Sequence, residues 1–153
     1  MSLKKIISKY LSADDLKIIS GKIAEIEKKT RGEIRVSLKD HKGYLEEELN
    51  SWDLALQEFY ELGMDQTEEK TGVLVLVIFR EHEFSIVADE GVNSKFIGDK
   101  WGEISSGMSL KFKDEKYLEG ILFALDEISK ILIREFPVRD GDSNELSNEI
   151  VIR

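Results

Sequence analysis

The chain has no cysteine, one proline and two histidines among 153 residues. Without thiols there is no disulfide framework, no thiolate zinc or iron–sulfur site and no cysteine nucleophile. With Pro137 alone, and no Gly/Ser-rich run or internal repeat, no linker is signalled before the tail. The longest apolar run is the seven residues Val73 to Phe79, against the ~20 that a membrane-spanning helix needs. Met1 to Leu11 returns to charge at Lys9 before a secretion signal's apolar core could form. The sequence therefore predicts no membrane span and a cytoplasmic location.

Positive charge is also scarce, with 22 basic residues against 31 acidic ones and a formal net charge of -9. Such a surface repels phosphate backbones, and no Lys/Arg stripe with interleaved aromatics is present, which excludes a nucleic-acid partner. Divalent cations, or a protein partner with a basic surface, match it better. GxGxxG after a strand, GxxxxGK[ST] and HExxH are all missing, so dinucleotide, P-loop and zincin chemistry have no foothold. Two partial matches fail on context. Asp65 stands two residues before Thr67 but precedes a strand, where an aspartyl nucleophile would follow one. Asp140, Asp142 and Asn144 fit the start of an EF-hand loop, yet Glu145 replaces its glycine and Val151 its final glutamate. His41 and His82 lie in polar turns with no nucleophile motif beside them, so no catalytic residue is assigned.

What is present is a foldable pattern, 41% hydrophobic, of a length that supports one core. Ser12 with Asp15 opens a helix over about 13–30 that carries Leu16, Ile19, Ile23 and Ile26. Glu33 to Leu38 alternates as a half-buried strand. Leu45, Leu49, Trp52, Leu56 and Phe59 predict a second helix over 44–62, ended by Gly63, and the two tryptophans, Trp52 and Trp101, read as core. Val73 to Phe79 reads as a central strand, joined by the short turn at 80–83 to a third over 84–89. Phe96, Ile97, Trp101, Ile104 and Met108 outline a third helix, and Tyr117 to Leu132 a long fourth. The fold class predicted is α/β: a small three-layer α/β/α sandwich, Rossmann-like, with one parallel pair and one hairpin in a mixed sheet. Residues 1–137 form the domain, and 138–153 read as a polar extended arm.

This topology returns the end of the third strand, Asp89 and Glu90, to the edge where the first two strands begin. That edge carries Glu33 and the loop with Asp65, Glu68 and Glu69, and Asp99 lies ten residues past Asp89. Carboxylates on glycine-bearing loops are the hard oxygen ligands that calcium or magnesium takes, whereas zinc and copper prefer the His and Cys that are scarce here. Arg31 and Arg35 flank Glu33, so an ion pair competes with ligation there. Gly91 is expected to supply a sharp turn through positive φ between Asp89 and Asp99.

Thr30-Arg31-Gly32-Glu33-Ile34-Arg35-Val36, Gly63-Met64-Asp65-Gln66-Thr67, Thr71 to Val77, Ala88-Asp89-Glu90-Gly91-Val92 with Asp99 and Trp101, and Phe112 to Ile121 together resemble the TPM domain over about residues 12–137. The resemblance implies a Rossmann-like α/β/α sandwich, divalent-cation binding at an acidic pocket, and the acid-phosphatase activity attributed to some plant members. Position by position, the residues that fit the family's pocket are Asp89 and Asp99, with Glu33, Asp65 and Glu90 beside them. The function expected is calcium or magnesium binding with acid-phosphatase-type hydrolysis. The alternative is a non-catalytic protein-interaction module whose loops the cation orders.

Overall fold

The fold was obtained as a computed structural model that describes residues 2–96, 98–139 and 150–153. A short helix, α1 (Leu3–Ile6), leads to α2 (Ala13–Glu27). The start of α2 is fixed reciprocally: Ser12 Oγ accepts from Asp15 N–H at 3.0 Å, and Asp15 Oδ2 accepts from Ser12 N–H at 2.9 Å. Strands β1 (Glu33–Lys39), β2 (Gly72–Ile78), β3 (Glu83–Ala88) and β4 (Val151–Ile152) form one sheet in the order β3-β2-β1-β4. β1 pairs parallel with β2 and with β4, while β2 and β3 pair antiparallel.

Both faces of β2 are buried, as its unbroken apolar run requires. Val73, Val75 and Val77 join Ile34, Val36 and Leu38 of β1 under α2, α5 (Lys100–Lys113) and α6 (Tyr117–Glu135). Leu74, Leu76 and Ile78 face the other way, under Leu54, Ala55 and Phe59 of α3 (Ser51–Glu61). The result is the expected three-layer sandwich. Among the described residues no helix is long and apolar enough to cross a membrane.

Four features depart from the sequence reading. The second helix begins at Ser51, because the Asn50 side chain accepts from Asp53 N–H at 2.8 Å and restarts the chain. Residues 44–46 form a separate 3₁₀ turn, leaving Tyr44 and Leu45 88% exposed and Trp52 49% exposed, so Trp52 is not a core residue. The third helix, outlined from Phe96, begins only at Lys100 as α5, and a short unpredicted helix, α4 (Glu90–Asn93), precedes it; each follows an aspartate, Asp89 or Asp99. Ile97, assigned to that helix, lies outside the described residues, as do 140–149 with the EF-hand-like positions. The tail adds to the sheet: Val151 and Ile152 pair with Ser37 and Leu38, and Ile150 and Ile152 pack on the core. Three residues of alternation were too few to signal a strand, and the sheet has two parallel pairs where one was expected.

The end of α6 is tied back to the head of β1. Thr30 Oγ1 donates to Phe136 O at 2.6 Å, and Arg31 N–H donates to the same carbonyl at 2.8 Å. Carbonyls that a helix end leaves without intrahelical partners are satisfied in this way, just before Pro137.

Candidate functional site

The amino end of the sheet is built on one cross-strand row. Glu33 is in register with Gly72, and Asp89 N–H donates to Gly72 O at 2.9 Å, continuing the pairing of Val73 with Ala88. Gly72 separates the two acidic residues, and a side chain there would meet Met64 O at 2.6 Å. The Met64–Gln66 turn therefore sits directly over the row and brings Asp65 with it.

Each predicted ligand has a distinct setting. Asp89 Oδ1 accepts from Glu90 N–H at 2.8 Å, while Oδ2 is buried with no hydrogen-bond partner. Glu90 is exposed on the first turn of α4. Asp65 Oδ2 accepts from Gln66 Nε2 at 2.9 Å. Asp99 precedes α5, and its carboxylate lies over Gly102, where an added Cβ would be 2.4 Å from Oδ2. The structure thus brings Glu33, Asp65, Asp89 and Glu90 to one rim and places Asp99 at the head of the neighbouring helix. Among the described residues no three His, Asp or Glu side chains are grouped closely enough to hold a metal ion.

Glu33 is 3% exposed, and its neighbour Glu27, at the last turn of α2, was not foreseen. Glu27 Oε2 accepts from Ile34 N–H at 2.9 Å, while its Oε1 is buried without a donor. Burial first, and then the facing Glu33 carboxyl, push Glu27 up to about 9. Glu27 therefore holds a proton more tightly than an ordinary glutamate, because ionising it would place a second buried charge against Glu33. The signal for this was spacing: Glu27 falls four residues after the buried Ile23 on the same helix face.

Of the two basic side chains that flank Glu33, Arg35 has its Nε buried without a hydrogen-bond partner, and Arg31 is committed elsewhere. Arg31 forms a fork with Glu69, Nε to Oε2 at 2.7 Å and Nη2 to Oε1 at 2.9 Å, and also donates from Nη1 to Pro137 O. This guanidinium holds the Glu69 carboxyl below the usual range. Gly91 does not act through positive φ, since it lies within helical α4. Its role is close approach: a Cβ would lie 2.2 Å from Glu69 O and 2.5 Å from Lys70 O.

Neither histidine sits beside a nucleophile. His41 Nδ1 is 2.8 Å from Asp40 Oδ2, on a buried carboxylate that Arg80 and Lys9 also contact at 3.0 and 3.4 Å. Burial raises Asp40, but its hydrogen bonds to His41 and Lys9 outweigh it and hold the group low. His82 is exposed in the hairpin turn with φ of 56°.

A family model described as the TPM domain matches residues 7–131. The NMR structure of BA42 protein from the psychrophilic bacterium Bizionia argentinensis is 31% identical with a TM-score of 0.83, over 94% of this chain and 96% of that one. The N-terminal domain of a protein from P. gingivalis shares the fold at 15% identity and a TM-score of 0.67, over 83% of this chain and 79% of that one. The N-terminal domain of the cg2496 protein from Corynebacterium glutamicum does so at 10% identity and a TM-score of 0.61, over 82% and 76%. No curated protein gives a match.

Proposed function

The chain belongs to the TPM domain family, and from that membership we propose that it is a divalent-cation-binding module, taking calcium or magnesium at the amino-end rim. The observation that carries the reading is Asp89 Oδ2, a buried carboxylate oxygen with no donor, beside Glu33 in the same row and the Asp65 turn. An unsatisfied anionic oxygen is costly to bury, and a hard cation compensates it better than any neutral donor. The donor set fits calcium or magnesium in kind, all oxygen. Two or three carboxylates would supply the charge, with backbone carbonyls and water completing the coordination. Asp89 and Asp99 are the assigned ligands, with Glu33, Asp65 and Glu90 as neighbours.

The reading favours a non-catalytic interaction module over a phosphatase. Phosphoryl transfer to water asks for a positioned base and a cation on the transferring oxygens; of the two guanidiniums that flank Glu33, Arg31 is engaged with Glu69 and Arg35 has its Nε buried, beside Glu27. Ordering loops for a protein partner asks only for the ligands.

The test is calorimetry and thermal melting with calcium, magnesium and a chelator, on the wild type and on Asp89→Asn. Asparagine also caps helices, so the variant keeps its fold. Binding in the millimolar range or tighter, with a cation-dependent rise in melting temperature that Asp89→Asn removes, is the expected result. No heat and no shift at millimolar cation, or an unchanged response in the variant, would overturn the proposal.

A further inference from the structure

The opposite end of the sheet carries a cleft of a different kind. It opens where β2 ends, under the β2–β3 turn and between the last turns of α5 and the start of α6, and encloses about 360 Å³. Cavities of this size suit small molecules, and open α/β sheets place ligands at the carboxyl ends of their parallel strands. Its floor is a chain of aromatic rings: Phe84 meets Phe112 at 5.4 Å, Phe112 meets Tyr117 at 5.4 Å, and Tyr117 meets Phe79 at 5.4 Å. Phe79 is buried and stacked on Tyr10 at 4.3 Å, whereas Phe84, Phe112 and Tyr117 are only partly buried and give the cleft its apolar surface.

The rim of this cleft supplies charge of both signs. Lys113 and Glu115 line it, both are exposed, and neither has an ion-pair partner among the described residues. Lys113 is the last residue of α5, and Glu115 follows it in the turn to α6. Glu83, the other acid at the cleft, is in register with Ile78 and so points to the far face of the sheet, where Lys42 holds it at 2.7 Å. Backbone strain is concentrated here as well. Three described residues other than glycine have positive φ, and two of them, His82 at 56° and Glu115 at 59°, line the cleft. Such conformations gather at ligand sites because the surroundings must hold them against their preference.

We propose that this cleft binds an aromatic α-amino acid as its zwitterion, the ring on Phe84, Phe112 and Tyr117, the carboxylate at Lys113 and the ammonium at Glu115. A hydrophobic ring alone would use the floor but leave both charges unanswered. An aromatic anion or an aromatic amine would answer one of them.

An NMR titration of the ¹⁵N-labelled full chain tests the assignment with L-tryptophan, tryptamine, which lacks the carboxylate, and indole-3-propionate, which lacks the ammonium. Tryptophan should shift the amides of Ser109, Lys113 and Glu115 saturably and bind about tenfold more tightly than either analogue. Lys113→Gln should abolish its advantage over tryptamine alone, and Glu115→Gln its advantage over indole-3-propionate alone. Both positions are exposed, and unchanged spectra elsewhere verify that the variants fold. The proposal is overturned by the absence of saturable shifts at the cleft, by equal affinity for the three compounds, or by advantages that survive the two substitutions.

Discussion

The two ends of the sheet handle polar groups in opposite ways. At the amino end the chain closes over itself: Gly72 and Gly91 are pressed against backbone carbonyls, Arg31 is forked onto Glu69, and burial against Glu33 raises the proton affinity of Glu27. At the carboxyl end of β2 the aromatic floor is open and the charges above it, Lys113 and Glu115, have no ion-pair partner among the described residues. The difference teaches that charge density alone does not mark a binding surface. The acidic rim is crowded and partly self-satisfied, with Glu27 Oε1, Arg35 Nε and Asp89 Oδ2 among the buried polar atoms that lack a hydrogen-bond partner, whereas the less charged cleft keeps its groups in reserve.

The largest effect that could break this contrast is steric. Gly91→Val places branched carbons against Glu69 O and Lys70 O, backbone atoms that cannot swing aside. Overpacking of this kind should lower the unfolding free energy by ~3 kcal/mol, read in a urea titration. A loss below ~0.5 kcal/mol would show that the amino end is looser than described.

Next is the proton. Folded Glu27 holds its proton up to about 9, while the unfolded chain releases it near the ordinary glutamate value of ~4.3. The folded state binds more protons between those values, so this group's contribution is full below the lower one and declines as pH rises toward the upper. Glutamine mimics the protonated acid, accepting from Ile34 N–H and donating to Glu33. Glu27→Gln should therefore melt roughly 5 °C above the wild type at pH 8.5 and close to it at pH 4. A constant offset at both pH values would contradict the raised proton affinity.

The smallest effect belongs to the carboxyl end and has the opposite sign to the first. Glu115→Gly relieves a left-handed backbone at φ of 59°, and calorimetric melting should show a gain of ~1 kcal/mol. A loss would mean that the Glu115 side chain supports the fold.

How far these regions were legible in the sequence depended on how local their causes are. The capping of α2 and the buried run of β2 are written in neighbouring residues, and the structure follows them; β1 forms where its alternation puts it, but Glu33 and Ser37 on its polar side are buried too. The start of α3 was misread because Leu45, Leu49 and Trp52 keep helical spacing by accident, and the cap at Asn50 overrides it. Topology brought Asp89 and Glu33 to one rim correctly, since register depends only on strand direction and length. Glu27 was missed because its raised proton affinity comes from burial against a residue on another element. Gly91 was noticed for the wrong reason, as its neighbours Glu69 and Lys70 come from a distant loop. The aromatic cleft was not read as a site although Phe112 to Tyr117 lie in one noticed block, because its floor is completed by Phe79 after β2 and by Phe84 of β3.

The pairing of β1 also has a consequence during synthesis. This strand, at residues 33–39, takes one neighbour from 72–78 and the other from 151–152. Closing so long a loop adds little entropy beyond a shorter one, but distant partners slow folding. On a ribosome adding ~5–20 residues per second, the interval between Ile78 and Ile152 is roughly 4 to 15 seconds. Throughout it, the outer edge of β1 presents unpaired N–H and C=O groups, a template for any second nascent chain nearby. When β4 arrives it closes that edge at Ser37 and Leu38 alone, so even in the finished fold the first part of β1 has no strand on its outer side among the described residues.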